Sequence, residues 1–222
     1  MTDLQAVIFD MDGTLIDSEV LWVEAIEAAL RQRGAPVSRA EMVRLVYGHA
    51  WPDIYRQIEV RYAGLYPSRQ AMEAVTVPLF REYSRRRDIR IHASIDLLKH
   101  LALSFPVAIV SGSTRSRVRE TVAALGLGPC LRACFACEDV PAGKPDPAGF
   151  LKAAQAMGVP PSGCLVFEDS AAGVRAAKAA GMACVALRRE NAGEQDLSAA
   201  DLVLSSLGDF DLERFCAGPA SV

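Results

Sequence analysis

A repeating alternation constrains this chain more than any other feature. Short apolar runs at residues 6–9, 107–110, 164–167, 184–187 and 202–204 recur with segments of helical period between them, at 116–125, 148–157 and 171–180. Apolar runs this short, with no polar residue alternating inside them, are buried on both faces, as central strands of a parallel sheet are. Gly126, Gly158 and Gly181 follow the three helical segments, where a helix is best closed by a residue that tolerates left-handed backbone. Parallel strands joined through helices wind onto both faces of one sheet, so a doubly wound α/β domain is expected.

The alternation fails between residues 18 and 90. That stretch is mostly amphipathic helix with no convincing strand, broken at Gly34-Ala35-Pro36, Gly48, Trp51-Pro52 and Tyr66-Pro67. An all-helical insertion after the first strand accounts for both the gap and the later return of the pattern. The expected organisation is a discontinuous core domain, 1–17 and 91–222, with a helical cap domain at 18–90. A chain of 222 residues is long enough for such a core with its insertion. One short helix is expected after Leu207.

The predicted strands end on polar groups of one chemical theme. The first runs into Asp10-Met11-Asp12-Gly13-Thr14, where two carboxylates stand as the chain starts to turn. This pair suits a nucleophile with an acid/base neighbour, a shared metal site, or simply two solvated turn aspartates. The second strand ends in Ser111-Gly112-Ser113-Thr114, a hydroxyl and a flexible backbone before a helix, which suits an anion or a plain N-cap. Next, Gly143-Lys144-Pro145-Asp146-Pro147 presents a lysine on a turn stiffened by two prolines, with Pro147 placed to open the following helix. A later strand closes on Glu168-Asp169, two carboxylates that would be costly to bury without a counter-charge. Asp10, the Asp12 carbonyl, Glu168 and Asp169 form a hard oxygen set suited to Mg²⁺, and Lys144 is a second source of compensation. Taken together, the four strand ends describe phosphoryl transfer.

Composition narrows the partners. The net charge is −3, so no face is advertised for nucleic acid or an anionic membrane. No apolar run reaches spanning length, and the N-terminus lacks a secretory order of charge and apolarity. Among six cysteines, Cys130, Cys134 and Cys137 are clustered, but no further Cys or His follows at zinc-like spacing. They are expected to be buried free thiols, which points to a reducing compartment, the cytoplasm. Lysine is scarce, with only Lys99, Lys144, Lys152 and Lys178 against 20 arginines.

With these motifs in order, the chain resembles the haloacid dehalogenase superfamily, in the branch whose helical cap follows the first strand. Asp10-Met11-Asp12-Gly13-Thr14 matches that family's first motif, Ser111 the second, Lys144 the third and Glu168-Asp169 the fourth. The resemblance implies a Rossmann-like core and a phosphohydrolase acting on a small phosphorylated metabolite, a sugar phosphate being the default class. It implies Asp10 as nucleophile forming an aspartyl-phosphate, and Asp12 as the acid that protonates the leaving oxygen and then activates water. It further implies Mg²⁺ on Asp10, the Asp12 carbonyl and Asp169, with Glu168 supporting the metal directly or through water. Ser111, Gly112 and Lys144 would hold the phosphoryl oxygens, Lys144 would keep Asp10 ionised, and Thr14 would order the loop and border the substrate. Specificity would reside in the cap, where His49 and Trp51 are candidate contacts, or else a surface histidine and a core tryptophan. A core with its own cap suits a monomer.

The resemblance also separates reactions. True dehalogenases of this superfamily do without the second aspartate, so Asp12 argues against dehalogenation. Phosphonatases use a cap lysine, and residues 18–90 contain none. β-Phosphoglucomutases carry a Gly-x-Ser-Arg type cap loop with a lysine nearby. Here the comparable stretch is Val46-Tyr47-Gly48-His49-Ala50-Trp51-Pro52, which favours a phosphatase over a mutase. A catalytically silent relative is the remaining alternative, against which every catalytic position is intact.

Overall fold

A computed structural model describes residues 4–47, 49, 51–189 and 195–217, with only the backbone of Trp51 and Pro52. Among the described residues six strands, β1 (Ala6–Phe9), β2 (Val107–Val110), β3 (Ala133–Phe135), β4 (Cys164–Glu168), β5 (Ala183–Leu187) and β6 (Leu202–Leu204), form one sheet in the order β3-β2-β1-β4-β5-β6. Every pairing is parallel. The core is therefore the Rossmann-like, doubly wound sheet expected from the alternation.

Four helices, α1 (Ser18–Gln32), α2 (Arg39–Val46), α3 (Trp51–Arg61) and α4 (Arg69–Arg86), follow β1, and α5 (His92–Leu101) leads into β2. The remainder are α6 (Arg115–Leu125), α7 (Ala148–Met157), α8 (Ala171–Ala179) and α9 (Leu212–Ala217). Gly126 and Gly158 close α6 and α7 in left-handed backbone, as their positions suggest. Gly181 also has positive φ, one residue past the cap that ends α8.

The chain divides into two compact units, one of residues 4–16, 90–189 and 195–217, the other of Asp17–Ile89. In the first, β1, β2, β4 and β5 are almost wholly buried. Ile8, Ala108, Val110, Val166 and Cys184 pack with Phe150 and Ala153 of α7 and with Val174 and Ala177 of α8. Behind the strand ends, Phe9 stacks on Phe167 with centroids 4.6 Å apart, and Phe210 meets Phe167 edge-on at 5.0 Å. In the helical unit, Val23, Ile26, Leu30, Met42, Leu45, Ile54 and Met72 make one apolar cluster. Trp22 stacks on Phe80 at 4.1 Å, joining α1 to α4. Ser38 and Ser68 cap α2 and α4 by accepting from the Glu41 and Ala71 amides.

Two sequence-based expectations are corrected here. β3 was not among the predicted strands; the apolar stretch Cys134-Phe135-Ala136-Cys137 that overlaps it reads from sequence as buried thiols, whereas the three residues of β3 lie at the sheet edge and are not fully buried. For the same reason Cys134, on β3, and Cys137, just beyond it, are exposed rather than buried. Cys130 is half-buried, whereas Cys164 and Cys184, on interior strands, are the buried thiols. All six are free. Among the described residues no helix is long and apolar enough to cross a membrane.

Candidate active site

The sheet order reverses direction between β1 and β4, and there the strand ends open a crevice. Phe9 pairs with Phe167, and the Asp10 amide donates to the Phe167 carbonyl at 2.9 Å. This register sets Asp10 level with Glu168. Lys144 reaches in from the turn before α7, where Asp146 Oδ1 accepts from the Ala148 amide and starts the helix. Its ammonium donates to Asp10 Oδ1, to Glu168 Oε1 and, at 3.2 Å, to the Val110 carbonyl at the end of β2. Three strand ends are thus tied to one cation.

Burial pushes the Asp10 carboxyl well above the usual carboxylate range. Lys144 opposes that shift, while Glu168 and Asp169 reinforce it. Burial also works to lower the Lys144 ammonium, but Asp10 and Glu168 overcome it and hold the group above its ordinary value. Lys144 therefore works in the direction expected of it, toward an ionised Asp10, against the effect of burial. Asp10 and Glu168 share one ammonium while Asp169 lies nearby, and the excess of carboxylates over cations disfavours the charged form of Asp10.

Glu168 is committed on every side. Its Oε2 accepts from the Asp169 amide at 2.9 Å, the Ser170 amide at 2.9 Å and the Ser170 hydroxyl at 3.0 Å. Oε1 receives Lys144. Gly173, in the first turn of α8, leaves the space this carboxylate occupies; a Cβ there would lie 1.8 Å from Oε1. Asp169 instead lies against Gly13, whose φ of +89° turns the first loop over it and whose missing Cβ would stand 2.0 Å from Oδ2. The Thr14 hydroxyl donates to Asp169 Oδ1 at 3.2 Å. Thr14 is fully buried, and this bond ties the first loop to the end of β4.

The Asp12 side chain points to a second group of residues. Oδ2 accepts from the Ser111 hydroxyl at 3.1 Å and the Ser113 hydroxyl at 2.7 Å, while Arg117 Nη2 stands 3.6 Å from Oδ1. Ser111 is buried and Gly112 exposed beside it. The cluster therefore offers a carboxylate beside a half-buried ammonium, a second carboxylate among hydroxyls, and a third, Asp169, against the first loop.

The profile of the haloacid dehalogenase-like hydrolases matches residues 4–181. The chain belongs to this family. Among its relatives, the validoxylamine A 7'-phosphate phosphatase of Streptomyces hygroscopicus subsp. limoneus is 30% identical, covering 91% of this chain and 94% of its own length. The fructose-1-phosphate phosphatase of Escherichia coli is 34% identical, over 82% of this chain and 95% of its own. In three dimensions the haloacid dehalogenase hydrolase of Entamoeba histolytica superposes with a TM-score of 0.79 at 24% identity, covering 96% of this chain and 98% of that one, and so shares the fold.

Within this hydrolase, the structure brings Asp10, Asp12, Thr14, Ser111, Lys144, Glu168 and Asp169 together at one end of the sheet. His49 and Trp51 belong to the helical unit. His49 is exposed, with Nδ1 3.0 Å from the Tyr47 carbonyl, and Trp51 opens α3, its side chain lying outside the described residues. Sequence reasoning passed over Ser113, Arg117 and Arg189, whose Nη1 donates to the Gly13 carbonyl at 2.7 Å. Ser113 carried a signal, two residues past Ser111 in the same turn. The two arginines carried none in a chain this rich in arginine.

Proposed function

We propose that the chain is a Mg²⁺-dependent phosphatase that releases phosphate from a small phosphorylated metabolite through an aspartyl-phosphate on Asp10. The carrying observation is the buried group of Asp10, Glu168 and Asp169, with Lys144 paired to the first two. Such a cluster is costly at rest, and the incoming phosphoryl group and its cation give it purpose. The relatives support the substrate class, since their names specify a validoxylamine phosphate and fructose 1-phosphate. They share a phosphate ester and differ in what carries it.

An excess of hard carboxylate oxygens over ammonium charge fits a divalent cation. Asp10, the Asp12 main-chain carbonyl and Asp169 would hold Mg²⁺. Glu168, with both oxygens occupied, would act on Lys144 instead. When bound, the ion neutralises phosphate charge that would otherwise repel a carboxylate nucleophile. An Asp10 oxygen forms the new bond to phosphorus as the bond to the leaving oxygen breaks, and Asp12 gives that oxygen its proton. Water then attacks the same phosphorus, Asp12 takes its proton, and phosphate leaves with Asp10 restored. Ser111 and Lys144 donate to the phosphoryl oxygens throughout.

The test is phosphate release from p-nitrophenyl phosphate and a panel of phosphorylated metabolites, with Mg²⁺ and with chelator, reported as kcat/KM. Activity should require Mg²⁺, vanish in Asp10→Asn, and fall on the order of 10²-fold or more in Asp12→Ala. Substantial Mg²⁺-dependent turnover by Asp10→Asn would overturn the nucleophile assignment. Interconversion of glucose 1- and 6-phosphates without net phosphate release would favour a mutase.

A further inference from the structure

Ser111 carries two demands that one hydroxyl cannot meet. A serine has a single O–H proton. Here that proton goes to Asp12 Oδ2, while Ser111 Oγ accepts the Ser113 amide at 3.0 Å. If Ser111 is to donate to a phosphoryl oxygen, as the reading above requires, it must release Asp12. Something else must then keep the acid in place at the moment it is needed.

Two residues outside the family motifs are built to do so. Ser113 donates its hydroxyl to the same Oδ2 at 2.7 Å, closer than Ser111 does. Arg117, from the first turn of α6, stands at the other oxygen, and both it and Asp12 are about four-fifths shielded from solvent. The backbone beneath Ser113 is held from the β3 side. The Ser111 amide donates to the Phe135 carbonyl at 2.9 Å, and the Cys137 amide donates to the Ser113 carbonyl at 3.0 Å. Thr114, the N-cap of α6, makes no side-chain cap. Glu138 replaces it from across the loop, accepting the Arg115 amide at 2.9 and 3.1 Å. Asp139 then pairs with the Arg115 guanidinium at 2.7 Å. The loop bearing Ser113 is thus stitched past the end of the β2–β3 ladder.

We propose that Ser113 and Arg117 are positioning residues that hold the Asp12 carboxyl at the leaving-group oxygen while Ser111 turns its proton to the phosphoryl group. The proposal rests on Asp12 being the acid, and its test separates the two. Because kcat/KM reports steps only up to phosphoryl transfer, it isolates protonation of the leaving group from later hydrolysis of the aspartyl-phosphate. 2,4-Dinitrophenyl phosphate releases an anion that needs no proton; phenyl phosphate releases one that does.

The full chain with Mg²⁺ is assayed on both esters as the parent, Asp12→Ala, Ser113→Ala, Ser113→Thr, Arg117→Met and Arg117→Lys. Ser113→Ala and Arg117→Met are each expected to lose about ten- to a hundredfold on phenyl phosphate but under about threefold on the dinitrophenyl ester. Ser113→Thr and Arg117→Lys should recover most of the loss. The ratio of the two esters is internal to each variant, so a fraction that fails to fold cancels. If Asp12→Ala itself loses equally on both esters, Asp12 is not the acid and the underlying reading fails. If Asp12→Ala is sensitive to the leaving group while Ser113→Ala and Arg117→Met lower both esters equally, or neither, the positioning proposal alone is overturned.

Discussion

Gly173→Ala should damage both stability and turnover, although at a helical position alanine is ordinarily the better residue by about 1 kcal/mol. The reason is Glu168. A methyl group at 173 would lie 1.8 Å from Oε1 and 1.9 Å from the carboxyl carbon, so the carboxylate must withdraw by about 1.5 Å to reach ordinary contact. That withdrawal breaks its fit to the Asp169 amide, the Ser170 amide and the Ser170 hydroxyl, in a group that is 1% exposed. Hydrogen bonds to a charged group contribute about 1.5–3 kcal/mol each. If one of the three is regained in the withdrawn position, losing the other two, offset by the helical gain, leaves a net cost of about 2–5 kcal/mol. For a chain of this size that lowers Tm by roughly 5–15 °C. Lys144, no longer steered by Glu168, should misplace its donor, and kcat/KM should fall on the order of 10²-fold. Denaturant titration and calorimetry give the first quantity, and Mg²⁺-dependent phosphate release gives the second. A Gly173→Ala protein of equal or greater stability and undiminished turnover would refute the reasoning, because it would show that Glu168 does not need the space the glycine leaves.

Asp10→Asn tests the electrostatics of the same cluster. The Asp10 carboxyl is raised, so its ionisation opposes folding, and stability is lost as pH climbs from the ordinary carboxylate range through the raised value. In chelator the variant should have the higher Tm at about pH 8, with the gap closing toward about pH 4; a parent more stable throughout would contradict this. The thiols give an independent check on the sheet edge. Cys134 and Cys137 should be alkylated in the native protein before Cys164 and Cys184, as mapped by mass spectrometry. Labelling of Cys137 should accelerate up to about pH 11, since burial and the neighbouring Glu138 push its thiol up to about 11. Early labelling of Cys184 would contradict the strand order.

The fold was largely legible because buried parallel strands leave unmistakable apolar runs. Four of the six strands lie between neighbours, and the runs at 6–9, 107–110, 164–167 and 184–187 are those four. β6, an edge strand, still shows Leu202-Val203-Leu204, whereas β3 has only Ala133-Cys134-Phe135. The motif residues were legible for a different reason. Asp10, Ser111 and Glu168-Asp169 stand at strand ends and Lys144 in a rigid turn, and a polar or charged group buried there needs a partner.

What the sequence determined by itself is therefore the winding of the sheet, the place of the helical insertion and the acids, lysine and serine at the strand ends. Local periodicity and local turn chemistry carry that information. Only the tertiary structure decided how those groups divide their partners. It is register between β1 and β4 that sets Asp10 beside Glu168, and the space at Gly173 that lets Glu168 settle under α8 with Lys144 on its other oxygen. It is the stitching of residues 111–115 to 135–139 that brings Ser113 and Arg117 to Asp12. A hydroxyl proton or a carboxylate lone pair serves one partner at a time, and which partner wins depends on distances across the sheet that no stretch of sequence contains.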